Sequence, residues 1–168
     1  MRRILFGPRI LIGLSLALAA GLLSSCARMG PYPDLQPFDE VAPNLPPPAP
    51  GLARIYFYRL LSYYDIRAGT TAYLNGQAAG FSRIGTVFYR DVTPGSYFVS
   101  VASPGAFPNQ FKTIQVAAGQ IWYAHIESLL SWSGGGAVDS HGATFTVVLE
   151  DPALAAEEMH GLYYLPPG

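Results

Sequence analysis

Tyr73-Leu74-Asn75-Gly76-Gln77-Ala78 reads as a β-hairpin with the shortest common loop. A two-residue loop whose twist matches its flanking strands needs positive φ at both central positions, and Asn-Gly supplies both with little strain. Working outward, Thr70–Leu74 and Gln77–Phe81 are the paired strands. Thr86–Val92 and Ser96–Ala102 flank Thr93-Pro94-Gly95, where proline sets the first corner of a type II turn and glycine takes the second. Phe111–Val116 and Gln120–Glu127 flank Ala117-Ala118-Gly119, while Ala53–Arg59 opens the series and Ala143–Glu150 closes it. About seven or eight short strands at regular spacing predict an all-β domain over residues 52–168, an antiparallel β-sandwich or barrel, with the sandwich as the expectation.

Alternation along the strands assigns their faces. Ile55 and Phe57 oppose Tyr56 and Tyr58; Val99 and Val101 oppose Phe98 and Ser100; Trp122, Ala124 and Ile126 oppose Tyr123 and His125. Both faces of several strands are bulky, so one sheet face is expected to be covered by the C-terminal segment or by a partner. Pro152–His160 reads as a short helix, with Asp151 as N-cap, Pro152 in the first turn and Gly161 as the stop. Its apolar residues, Leu154 and Met159, are few, so it is expected to cap the sheet.

The N-terminal part carries a different message. Arg2 and Arg3 precede an apolar run from Ile10 to Leu23, and Leu23-Ser24-Ser25-Cys26 follows. A charged region, an apolar region and small residues before a processing point form a secretory signal. The tetrapeptide resembles the bacterial lipobox. That resemblance implies removal of residues 1–25 and lipidation of Cys26 by a diacylglycerol thioether and an N-acyl chain. Cys26 is the only cysteine, so no disulfide accounts for it. The apolar run is also short of the about 20 residues a membrane-spanning helix needs. Two or three acyl chains on one residue meet the requirement for stable anchoring. Ala27 stands where enteric bacteria place an aspartate to retain lipoproteins in the inner membrane. The resemblance therefore points to the outer membrane, with the domain facing the periplasm.

Residues 26–51 hold eight prolines, from Pro31 to Pro50. Proline lacks a donor and disfavours helix in the residue before it. The stretch is expected to be an extended tether without regular structure, reaching roughly 70 Å. Pro46-Pro47-Pro48 is read as spacer in preference to an SH3-type ligand.

Composition narrows the function classes. Charged residues make up 12% of the chain, against about 25% in typical soluble domains. Without residues 1–25, seven Arg or Lys stand against eleven Asp or Glu, a net charge of −4. Nothing forms a basic stripe, which argues against nucleic-acid binding.

Ala53-Arg54-Ile55-Tyr56-Phe57-Tyr58-Arg59, Tyr73-Leu74-Asn75-Gly76-Gln77, Phe88-Tyr89-Arg90-Asp91-Val92-Thr93-Pro94-Gly95-Ser96-Tyr97 and Gly119-Gln120-Ile121-Trp122-Tyr123 occur in that order. Together they resemble the bacterial lipoprotein family known as domain of unknown function 2846. They are also similar to PEGA-type modules, small β-sandwiches with a Leu-Asn-Gly hairpin and a Pro-Gly-x-Tyr turn. The resemblance spans roughly residues 53–127. It implies an envelope-anchored β-domain and brings no catalytic residues with it.

No catalytic, metal or cofactor site emerges from the residues. Asp139-Ser140-His141 are consecutive, whereas the members of a hydrolase triad converge from separate positions. Ser131-Trp132-Ser133-Gly134-Gly135-Gly136 reads as a loop, since a phosphate cradle needs a lysine and a following helix. His125, His141 and His160 lack metal-ligand spacing. His125 is expected to be packed or hydrogen-bonded, with Glu127 two residues on and on the same face. The aromatic excess is the best pointer to function. Tyr63, Tyr64, Trp132, Tyr163 and Tyr164 fall in predicted loops or termini, where such side chains bind proteins or stack on sugars. The expectation is a non-enzymatic membrane-anchored accessory or scaffold that binds another envelope protein, with a peptidoglycan- or carbohydrate-binding module as the alternative.

Overall fold

The computed structural model describes residues 31–62, 69–103, 111–129 and 144–166. Cys26, Tyr63, Tyr64, Trp132, the glycine-rich run and Asp139-Ser140-His141 lie outside them. The chain divides into two compact units, Met1–Asp34 and Leu35–Gly168. Of the first, only residues 31–34 are described. Among the described residues no helix is long and apolar enough to cross a membrane.

The second unit is an all-β sandwich with a short C-terminal helix. Its strands are β1 (Gln36–Pro37), β2 (Ala53–Arg59), β3 (Thr70–Leu74), β4 (Gln77–Ser82), β5 (Thr86–Val92), β6 (Gly95–Val101), β7 (Phe111–Val116), β8 (Ile121–Leu129), β9 (Thr144–Leu149) and β10 (Tyr163–Tyr164). One sheet has the order β1-β10-β5-β2-β8-β9 and the other β4-β3-β6-β7. The eight longer strands match those expected to within about two residues at each end, because hydrophobic alternation and turn residues are local signals.

The turns vary in how closely they follow expectation. Asn75 and Gly76 have φ of 51° and 79°, the double positive the hairpin requires. The Asn75 side chain also accepts from the Phe98 amide at 2.7 Å, fastening the hairpin to β6. The type II turn at Thr93-Pro94-Gly95 does not form. Gly95 has φ 157° and already belongs to β6, opposite Val116, so the chain bends at Pro94 instead. Tyr97 closes this bend by donating its hydroxyl to the Thr93 carbonyl at 2.8 Å, which gives the tyrosine of the Pro-Gly-x-Tyr pattern a structural task.

The antiparallel expectation holds for most pairs and fails for two. β2 runs parallel to β8, and β10 parallel to β5. After β2 the chain makes β3 and β4 in the second sheet, returns for β5 on one side of β2, leaves again for β6 and β7, and comes back for β8 on the other side of β2. That route permits a parallel partner, whereas a tight turn would enforce an antiparallel one.

Between the sheets lies an apolar core. Ile55, Phe57, Phe88, Ala124, Ile126, Phe145 and Val147 come from the first sheet, and Ala72, Ala79, Val99, Ile114 and Val116 from the second. The opposite face of the first sheet is also buried. Tyr58 and Val87 pack there with Phe38, Ala155, Met159 and Leu162. The helix α2 (Pro152–Met159) thus covers this face with the C-terminal segment, as the double-sided bulk of the strands demands. Asp151 caps it by accepting from the Ala153 amide at 2.8 Å, and Gly161 (φ 76°) ends it.

Part of the expected tether is folded. Gln36–Pro37 pairs with Tyr163–Tyr164, Phe38–Val41 forms one helical turn (α1), and Ala42–Asn44 continues as a 3-10 turn. Proline is tolerated here because Pro37 sits on an edge strand and Pro43 at a helix start, where no amide is required. Phe38 supplies the anchoring surface. It is buried, with its ring 6.0 Å from that of Tyr56 between centroids, and its backbone N–H donates a hydrogen bond to the Leu162 carbonyl at 2.7 Å.

Candidate functional site

The covered face of the first sheet carries two cross-strand rows of side chains. Register places Tyr89, Tyr56 and Tyr123 side by side, with centroid separations of 5.7 and 5.6 Å. One row on, Val87, Tyr58, His125 and Val148 align. Parallel pairing of β2 with β8 lays the Tyr58 ring on the His125 imidazole, 4.9 Å apart and within 8° of coplanar. Glu127 lies two residues beyond His125, and Glu150 two beyond Val148, so both share this face. Glu158 reaches it from α2, on the helical stripe of Ala155 and Met159.

These elements build an acidic recess around one imidazole. His125 Nδ1 is 3.7 Å from Glu158 Oε2, 3.9 Å from Glu150 Oε1 and 3.9 Å from Glu127 Oε1. The His125 side chain is only 7% exposed, and Nδ1 has no hydrogen-bond partner. Leaving such a group unsatisfied costs about 1–3 kcal/mol. The Tyr58 hydroxyl donates to Glu158 Oε2 at 2.5 Å and holds that carboxylate toward the histidine. Burial, then this bond and the surrounding carboxylates, push the tyrosine far above its ordinary range, so it remains a donor.

His125, Glu150 and Glu158 present donor atoms within 4.8 Å of one another, a group competent to hold a metal ion. Histidine spacing in the sequence pointed to no such set. His125 is packed, as expected, and Glu127 shares its face, while Nδ1 has no hydrogen-bond partner. Glu150 and Glu158 lie 25 and 33 residues beyond His125, so no short motif links them. His160 is exposed and 3.5 Å from Asp39, away from this group.

Tyr163 and Tyr164 also depart from expectation. They form a strand between β1 and β5 and are half-buried. Tyr164 packs on Tyr89 and Phe38, and burial foremost pushes its hydroxyl up to about 12. Exposed aromatic surface lies on the outer face of the second sheet, which loop-based reasoning missed. Phe98 and Phe111 are 39% and 49% exposed with centroids 4.5 Å apart, and Phe81 is 51% exposed. Alternation was the available signal, since Phe98 opposes the buried Val99.

A third arrangement fixes the far end of the covered face. Arg54, buried on β2, meets its cross-strand partner Asp91 through Nε–Oδ1 at 2.7 Å and Nη2–Oδ2 at 2.9 Å. Nη1 donates to the Pro46 carbonyl at 2.7 Å, and the guanidinium lies 3.7 Å over the Tyr89 ring. The bidentate bond to Asp91 holds Arg54 firmly charged, above even its ordinary range.

Comparison with curated proteins gives no match, and neither does comparison with solved structures. Residues 49–137, more than half of the chain and containing Arg54, Tyr58 and His125 but neither Glu150 nor Glu158, match the family described as "Protein of unknown function (DUF2846)", and the chain belongs to that family.

Proposed function

We propose that this protein is an envelope lipoprotein, anchored through lipidated Cys26, whose non-catalytic β-sandwich docks another envelope protein as an accessory or scaffold. The observation that carries the reading is the exposed Phe98–Phe111 pair on the outer face of the second sheet. Clustered exposed aromatics mark interaction sites, because each covers a large area at small entropic cost. Phenylalanine has no polar tip with which to bond sugar hydroxyls, so the face suits a protein better than wall glycan. The anchor supports the same reading. Only residues 26–34 separate Cys26 from the folded unit, a reach of about 30 Å when fully extended. Such a leash restricts partners to those at or near the membrane surface.

Crosslinking in intact envelopes tests this with the full-length protein, Cys26→Ala and a Phe98→Ser/Phe111→Ser double variant. The expected result is one dominant protein adduct that both variants lose. Both phenylalanines are exposed, so the double variant should remain folded. Retention on purified sacculi with no protein adduct would replace this reading with peptidoglycan binding. An adduct indifferent to both variants would remove the phenylalanine face from the account.

A further inference from the structure

We propose that His125, Glu150 and Glu158 form a binding site for a divalent first-row transition ion of the zinc class, which fastens helix α2 to the covered face of the first sheet.

The acidic cluster alone would not carry this. The second observation is the buried Nδ1 of His125, which has no hydrogen-bond partner and faces the three carboxylates at 3.7–3.9 Å. A direct hydrogen bond would draw these atoms to about 2.8 Å. The observed separation leaves Nδ1 without a bond to any of them. Neighbouring ligand atoms around a tetrahedral zinc are about 3.4 Å apart, and the donor atoms of the three residues lie within 4.8 Å of one another, so side-chain rotation closes the site. Three carboxylates face one imidazole here, and a single added proton would offset only part of that charge. A dication between them offsets more of it and gives Nδ1 a partner. Among the described residues, no Arg or Lys forms an ion pair with Glu127, Glu150 or Glu158.

The donor chemistry selects the ion class. One imidazole nitrogen with carboxylate oxygens suits zinc, cobalt, manganese or iron, whereas calcium and magnesium favour oxygen-only sets. Tyr58 supplies the outer support that metal ligands usually have, donating to Glu158 while its ring fixes the plane of His125. Glu127 is the nearest further carboxylate and remains partly open to solvent, which leaves a path for the ion to enter. The three ligands come from β8, from the junction after β9 and from α2, so a bound ion would cross-link three elements at once.

The test uses full-length protein in detergent, stripped with chelator and titrated with zinc, and with cobalt as the spectroscopic probe. Expected are one zinc per chain, a melting temperature raised by more than about 5 °C at saturation, and no comparable rise with calcium. Glu150→Gln and Glu158→Gln preserve shape and should each weaken zinc binding at least about 10-fold, while His125→Ala should abolish it and the cobalt absorption band. Tyr58→Phe should retain stoichiometric binding with affinity lowered about 10-fold, as removal of an outer-sphere bond does. His160→Ala, at the exposed histidine, should change nothing. Failure of zinc to bind the stripped wild-type chain would overturn the proposal. Undiminished binding by the two glutamine variants, with native far-UV circular dichroism, would do the same. In either case His125 would be the hub of a charge cluster with no metal.

Discussion

Arg54 shows how much one side chain can decide. Its guanidinium joins two neighbouring strands through Asp91, holds the Pro46 carbonyl and rests on Tyr89. A surface ion pair would be worth little, but Arg54 is buried, and removing its partner strands a charge with one carbonyl and the rings of Tyr89 and Tyr56 for company. Asp91→Ala is therefore expected to cost about 2–3 kcal/mol, measured as a lower urea midpoint with an unchanged slope. A loss under about 0.5 kcal/mol would place the pair among ordinary surface bridges. Sequence reading placed Arg54 on its strand but did not distinguish it from any other arginine. What singles it out is the register of Asp91, 37 residues away.

Among the elements, the N-terminal segment holds the main surprise. Its proline content suggested a free spacer, yet from Leu35 onward it belongs to the folded unit. Proline excludes internal ladder and helix positions, but it leaves edge strands, first turns and extended docking available, and the segment uses these. Phe38 is the residue that makes docking favourable, through its contacts with Tyr56 and Tyr164. Phe38→Ala is expected to destabilise the domain by about 3 kcal/mol. Amide exchange over residues 36–45 should rise more than exchange in β2 or β8. Uniform exchange across the domain would mean that the segment unfolds only with the whole. The strands themselves were legible, because β2, β3, β5 and β7 follow alternation and turn chemistry that lie within a few neighbouring residues. β1 and β10 are two residues long and carry too little pattern to be read; β1 forms on β10, and β10 is held between β1 and β5.

Over the whole molecule, the tyrosines of the covered face make the domain sensitive to alkali. Tyr164 ionises near 10 when unfolded and is pushed up to about 12 in the fold, mainly by burial. The folded state thus keeps a proton that the unfolded chain has released. The associated stability is complete below about pH 10 and is lost as pH rises toward about 12. Tyr123 is raised in the same direction, again by burial. Melting temperature should fall between pH 10 and 12, and Tyr164→Phe should flatten that fall while leaving the curve at pH 7–9 nearly unchanged. Equal slopes for both proteins would show that Tyr164 ionises freely.

Local side-chain order specifies the eight longer strands, their inward and outward residues, the Asn75-Gly76 hairpin, the capped C-terminal helix and the family. Each follows from side chains within a few positions of one another, or from motifs in fixed order. Only the tertiary structure decided that β2 and β8 lie parallel with Tyr58 beside His125, and that Glu150 and Glu158 close on the same imidazole. It also decided that Phe38 folds back and that Phe98 and Phe111 form an open aromatic face. The reason is register. Sliding a strand by one residue sends each of its side chains to the opposite face, and the choice of partner strand and register is set by packing across the whole domain.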